Sequence, residues 1–205
     1  MKSLDMINES GAFGGVSAPG VFFGAAINPD KIVPSVQAFD RMYNRLDWVI
    51  LGALEVDSYG NVNVSRRGDG PVNHVGPGGF IDLCECASNI LFCCSWGDGA
   101  EVEVQGNKVN ILKPGNIKFM DKVLEITFNG QEGLRKGKNI FYITHVGAFE
   151  LTARGMELIY IMPGVNLQRD ILEPCSMNIV MPVTGAPTVV GADIVTGKNF
   201  RFELQ

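Results

Sequence analysis

The residues best placed to do chemistry stand near the beginning of the chain. Glu9 opens the run Glu9-Ser10-Gly11-Ala12-Phe13-Gly14-Gly15, and a second glycine-marked stretch, Phe22-Phe23-Gly24-Ala25-Ala26-Ile27-Asn28-Pro29, follows it. The only other acid close to Glu9 in this run is Asp5. A solitary carboxylate on a flexible backbone poor in side chains suits attack as a nucleophile rather than shared acid–base work, which takes a second titratable group. A further glycine cluster, Gly76-Pro77-Gly78-Gly79, can bring backbone N–H groups close to a reacting centre, because no Cβ stands in the way. Asn61 and Asn63, in Gly60-Asn61-Val62-Asn63, either orient a ligand or serve the turn, a geometry Asn tolerates well.

The remaining polar residues point less sharply to chemistry. His74 lies beside the glycine cluster, within reach of a phosphate or substrate there or simply in a loop. His145, at a strand end, reads as structural. Arg66 and Arg67 have the planar head that suits phosphate, or belong to a solvated loop. Cys84, Cys86, Cys93 and Cys94 invite a metal reading, but the spacing is not the C-x₂₋₄-C of zinc sites. Cys93 and Cys94 also point to opposite faces if they lie on a strand. The expectation is no metal and buried, hydrophobe-like thiols.

These groups must be positioned by a chain of 205 residues, 46% hydrophobic and 19% charged, which is an ordinary globular composition for one domain over 1–205. Its net charge of −5 argues against nucleic acid, which needs a basic face. No apolar run approaches the ~20 residues of a membrane helix, and the N-terminus lacks an apolar signal core, so a cytoplasmic protein is expected. Five cysteines, an odd number, fit a reducing compartment. Residues 36–46 have helical spacing, with Val36, Phe39 and Tyr43 on one face. Residues 47–56 read as one buried strand, 80–88 as a helix start and 89–95 as a second buried strand. Gly106-Asn107 and Arg154-Gly155 mark two hairpins. Strands are expected over 122–129 and 139–145, and one or two helical turns over 167–172. The tail, 183–205, has no legible element. Together these predict an α/β fold: an open mixed sheet flanked by helices, with β-hairpins.

Five blocks in order, ESGAFGG, FFGAAINP, LGALEVDSYGNVNVSR, GPGGFIDL and ELTARGMELIYIMPGVNLQRDIL, make the chain resemble the family I CoA-transferases. The likeness is to the β-type, C-terminal half of the acetate, propionate and acetoacetate type, from about Ile7 to about Met181. The resemblance implies Glu9 as the catalytic glutamate and Gly76, Gly78 and Gly79 as the oxyanion and coenzyme A loop. It makes Gly14, Gly15, Asn28, Asn61 and Asn63 candidates for binding coenzyme A. It further implies no permanently bound cofactor, coenzyme A as substrate, and acyl-CoA with a carboxylate acceptor as reaction partners. An α-type domain or subunit is implied as companion, in a homo- or hetero-oligomer. Three features depart from the family pattern. The glycine-rich first strand that usually precedes the glutamate is absent from this sequence. Tyr43-Asn44-Arg45 replaces a glycine run, and Trp96-Gly97-Asp98-Gly99 replaces the usual Thr/Ala-Gly-Gly. The first implies a fold without its usual first strand and a chain that is a fragment of a longer enzyme or needs a companion.

The chemistry implied by the family suits these residues. A glutamate, ordinarily near ~4.3, is ionised at neutral pH. It attacks an acyl-CoA, and coenzyme A returns to form a glutamyl-CoA thioester. No proton need move, which agrees with only two histidines in the chain. Two other readings use the same residues: an acyl-CoA hydrolase, and a non-catalytic or truncated partner chain that keeps the fold.

Overall fold

The computed structural model describes residues 5–22 and 24–201. Its centre is a seven-stranded mixed sheet. Strands β1 (Trp48–Leu51), β2 (Asn89–Cys93) and β3 (Asn139–Ile143) run parallel, in register Val49↔Ile90 and Ile140↔Ile90. From β3 the sheet turns antiparallel through β4 (Gly147–Thr152) and β5 (Gly155–Ile161), the hairpin over Arg154. Beyond β5, β6 (Ile179–Val180) and β7 (Thr188–Val189) add parallel pairings. In the tail, β7 lies on Tyr160–Ile161, and a short helix follows at Ala192–Thr196.

Alternation along each strand sends one row of side chains to the core. Val49, Ile90, Phe92, Ile140, Tyr142, Phe149, Leu151, Met156 and Leu158 form that row, all buried. Helices α1 (Ser35–Asn44), α2 (Phe80–Cys86) and α3 (Gly130–Arg135) belong to the same side. Phe92 is the hub, with ring centroids 5.8 Å from Phe80, 5.2 Å from Phe128 and 5.2 Å from Tyr142. Such aromatic contacts add about 0.5–1.5 kcal/mol per pair beyond the area they bury.

Three sequence expectations are corrected. Helix α1 forms, but it buries Ala38 and Met42, while Val36 and Tyr43 are exposed. A small residue one turn from Met42 lets α1 come close to α2, and Tyr43 instead donates to Asp82 of α2. Residues 47–56 are two strands in two sheets. Trp48 and Ile50 of β1 are 52% and 68% exposed, because β1 is an edge strand with only one face on the core. Glu55–Asp57 pairs elsewhere, with Val62–Asn63 and Phe119–Met120. The strand expected over 122–129 does not form. Its backbone N–H groups are taken by side chains and by a single residue: Val123 donates to Asp57, Leu124 to Glu55, and Thr127 and Phe128 both to the Val62 carbonyl.

Candidate functional site

Glu9 stands at the tip of a tight hairpin. Ile7 bridges Phe13, the Asn8 N–H donates to the Ala12 carbonyl at 2.9 Å, and the Gly11 N–H donates to the Asn8 carbonyl at 2.9 Å. Gly11 has φ +102, and a Cβ there would lie 1.8 Å from the Val33 carbonyl oxygen, so only glycine fits. The second glycine-marked stretch straps this hairpin down. Ser10 Oγ donates to the Gly24 carbonyl, and Asn8 Nδ2 donates to the Ala25 carbonyl at 3.1 Å. Ser17 Oγ donates to Asn8 Oδ1 at 3.1 Å, which holds the Asn8 amide in place.

The Glu9 carboxylate lies over the backbone of the GPGG loop. Its Oε1 is 3.7 Å from where a Cβ on Gly78 would be, and its Oε2 is 2.6 Å from the same point on Gly79. Phe39 of α1 closes the other side of Gly79, with Cζ 2.5 Å from that point. Gly78, at φ +57, turns the chain, and Gly79 caps α2. Among the described residues, neither N–H of this glycine pair has a hydrogen-bond partner, and neither does the half-buried Glu9 carboxylate. A carboxyl side chain therefore sits beside the backbone of a glycine pair, an arrangement of the kind that carbonyl chemistry can use. Phe39 has no signal in the sequence beyond its place in the helix pattern. It acts here because α1 happens to lie over the loop.

The other predicted residues go elsewhere. Gly14 and Gly15 have φ of +68 and +71, and a Cβ on either would strike Asp30 or the Ile27 carbonyl. They let residues 13–17 cross close to 26–31, where Asn28 takes a left-handed turn at φ +51. Asn61 and Asn63, proposed to contact coenzyme A, are consumed inside the protein. Asn63 Nδ2 donates to Glu55 Oε2 at 2.8 Å and to the Arg66 carbonyl at 2.7 Å, while its Oδ1 accepts from the Ser65 and Arg66 N–H groups. That fills the hydrogen-bonding capacity of an amide. Asn61 Nδ2 donates to Asp57 and its Oδ1 accepts from the Gly130 N–H at 3.1 Å. Both side chains brace turns inside the protein.

Two clefts flank this assembly. One, about 580 Å³, lies between the Glu9 hairpin (Ile7, Phe13, Gly14) and α1 (Gln37, Arg41), with Lys31 at its wall and its ammonium 4.4 Å from the Phe13 ring centroid. The other, about 320 Å³, borders Gly76 and Pro77 and holds Ser65, His74 and Glu125. His74 Nε2 stands 3.6 Å from Glu125 Oε2. Arg66 is tied within its own loop to Asp69 at 2.8 Å. His145 Nδ1 accepts the Trp96 N–H at 3.4 Å, and burial holds its pKa below the ordinary 6.5. Burial pushes the Cys84 thiol up to about 12 and the Cys94 thiol to about 11, far from reactive thiolates. Among the described residues, no three His, Cys, Asp or Glu side chains converge on a metal position. No helix there is long and apolar enough to cross a membrane.

No protein-family model matches the chain. It is 38% identical over 168 residues to the acetate CoA-transferase YdiF of Escherichia coli K12, covering 80% of this chain and 31% of that protein. It is 33% identical over 181 residues to the caffeate CoA-transferase of Acetobacterium woodii, covering 84% and 34%. The chain thus spans about a third of the length of the curated relatives it matches. The crystal structure of YdiF from E. coli O157:H7 superposes with TM-score 0.79 at 32% identity, over 91% of this chain and 35% of that one. The same values hold for that enzyme as a thioester complex with CoA. The glutaconate coenzyme A-transferase of Acidaminococcus fermentans shares the fold, with TM-score 0.64 at 22% identity over 91% and 72%.

Proposed function

The chain belongs with the CoA-transferases by sequence and by fold, and on that premise we propose that Glu9 is the nucleophile of an enzyme moving coenzyme A between a short-chain acyl-CoA and a carboxylate. One Glu9 oxygen attacks the thioester carbon, the C–S bond breaks, and the pair yields a mixed anhydride and a CoA thiolate. The thiolate attacks the Glu9 carbonyl carbon and expels the acyl group as a free carboxylate, leaving a glutamyl-CoA thioester. An incoming carboxylate then attacks that thioester and releases the thiolate. The thiolate takes the new acyl group from the anhydride and frees Glu9. Charge is conserved at each step and no proton moves, so a site without a general base suffices.

Each attack passes through a tetrahedral oxyanion. The Gly78 and Gly79 N–H groups are proposed to receive it, at about 2.7–4 kcal/mol of barrier per donor. The observation that carries this reading is the Glu9 carboxylate lying against the backbone of Gly78 and Gly79, where neither it nor the two N–H groups has a hydrogen-bond partner among the described residues. A thioester with CoA, the state in which the E. coli relative was crystallised, is the product of the second attack. Because this chain spans a third of its curated relatives, a companion α-type domain or subunit is part of the proposal.

The test is mass spectrometry of the protein after acyl-CoA is added. A CoA adduct on the peptide holding Glu9, absent from Glu9→Gln, is expected; an adduct elsewhere, or none with any companion present, sinks the reading. Release of coenzyme A without an acceptor carboxylate would reassign the chain as an acyl-CoA hydrolase.

A further inference from the structure

The 320 Å³ cleft beside the GPGG loop has a polar wall whose protons can be followed one by one. The Val64 N–H donates to Thr127 Oγ1 at 3.2 Å. Thr127 Oγ1 lies 3.1 Å from Ser65 Oγ, and Ser65 Oγ lies 2.5 Å from Glu125 Oε1. A carboxylate only accepts, so the Ser65 proton goes to Glu125, and the Thr127 proton must then go to Ser65. Both hydroxyl protons in this chain are thereby engaged within the wall. Glu125 still offers a ligand acceptor capacity on Oε2. Its Oε2 faces His74 Nε2 at 3.6 Å, beyond hydrogen-bond distance. The Glu125 side chain is 35% exposed and that of His74 53%, so both can be reached from the cleft. Opposite them stand apolar surfaces of Pro77 and Ile81.

The cleft reaches the loop that carries the glycine pair. Gly76 forms part of its wall, and Gly78 faces the Glu9 carboxylate. Two trans peptide links place Gly76 within about 7.6 Å of Gly78, the reach of a short acyl chain. We propose that this cleft receives the acyl tail and selects a short chain carrying a hydroxyl group, which donates its proton to Glu125. The inference rests on the reading of Glu9 as nucleophile. A tail ending in a second carboxylate is disfavoured, because it brings like charge to Glu125. Ser65 and Thr127 act as positioning residues, since they fix which way the Glu125 carboxylate is satisfied.

The test uses the protein isolated from its native host, together with any companion it carries. It is given 3-hydroxybutyryl-CoA, butyryl-CoA or succinyl-CoA, and the rate of CoA adduct formation on Glu9 is followed by mass spectrometry. A hydrogen bond to a charged acceptor predicts about a tenfold or greater preference for the hydroxyl-bearing tail over the plain one, with succinyl-CoA the slowest. Glu125→Gln should bring the hydroxyl preference within about threefold and raise the relative rate with succinyl-CoA, because an amide lacks the charge and adds a donor. Equal rates for the three donors overturn this inference and leave Glu9 in place. No adduct from any donor overturns the Glu9 reading, and this inference with it. The donor series on the unaltered protein decides the matter even if Glu125→Gln does not fold.

Discussion

Two carboxylates, Glu9 and Asp57, illustrate how the same functional group is put to opposite uses. Asp57 is fully buried at a turn beneath the core and accepts from the Tyr59 N–H, the Asn61 N–H, Asn61 Nδ2 and the Val123 N–H. Those four donors leave it no lone pair for anything else and no path to a ligand. Glu9 is half-buried at the tip of a strapped hairpin, with no hydrogen-bond partner among the described residues. A carboxylate wrapped in donors is a fastener, and one held by its backbone alone retains its nucleophilic oxygens. What separates them is how their own loops are anchored. The Glu9 hairpin is held by Asn8 and Ser10 on either side of the glutamate, which leaves the glutamate itself unengaged.

The comparison breaks first at Glu9. Glu9→Gln should lower coenzyme A transfer by about 10⁴-fold or more while the urea midpoint stays nearly unchanged, since the side chain makes no hydrogen bond among the described residues. A large drop in stability would show that Glu9 is a fastener too. Asp57→Ala should do the reverse, costing about 3 kcal/mol of folding stability as four buried donors lose their acceptor. Equilibrium denaturation read by Trp96 fluorescence checks it; an unchanged midpoint would mean the turn is held by other contacts.

Gly79→Ala tests the contact between the two halves of the site. Its backbone conformation is open to alanine, but the new methyl would meet Glu9 Oε2 at 2.6 Å and Phe39 Cζ at 2.5 Å. Both are ends of side chains that can move, so stability should fall by only about 1 kcal/mol. Displacing Glu9 by an ångström should cost about 100-fold in turnover. Equal losses of turnover in Gly79→Ala and Phe39→Leu would instead point to the packing of α1 as the cause.

The smallest expected effect lies at the far end of β3, at His145. Its pKa is lowered by burial below the ordinary 6.5. As pH falls through 6.5 the unfolded chain takes up its proton first, so stability is full above that value and declines as pH drops toward the lower folded pKa. His145→Gln should make stability depend less on pH in that window. Urea midpoints for the two proteins from pH 7.5 to 5.5 give the comparison, and parallel slopes would remove His145 as a contributor.

Much of the scaffold is legible in residue order because its signals are local. Gly106-Asn107 and Arg154-Gly155 each turn a hairpin between runs whose alternation fits a half-buried strand. The 167–172 segment forms its helical turn just after Pro163-Gly164. Less legible is the segment 122–129, whose apolar spacing mimics a strand. Leu124 and Ile126 are exposed in it, and side chains of Glu55 and Asp57 take the N–H groups that a neighbouring strand would have bonded. The buried face of α1 differs from the expected one for a related reason. Periodicity marks which residues can share a face, and only the neighbour decides which face is buried.

Within the site, the sequence by itself determined a lone glutamate among glycines, a second glycine cluster able to bring its backbone close, and the likeness to CoA-transferases. Those depend on residue type and on neighbours a few places away. The tertiary structure decided that Glu9 meets Gly78 and Gly79 while Asn61 and Asn63 turn inward. It also decided that Ser65, Glu125 and Thr127 share one proton chain. Hydrogen-bond satisfaction is set by groups far apart in the sequence, and a polar side chain shows no trace in its own neighbourhood of whether a distant partner has already claimed it.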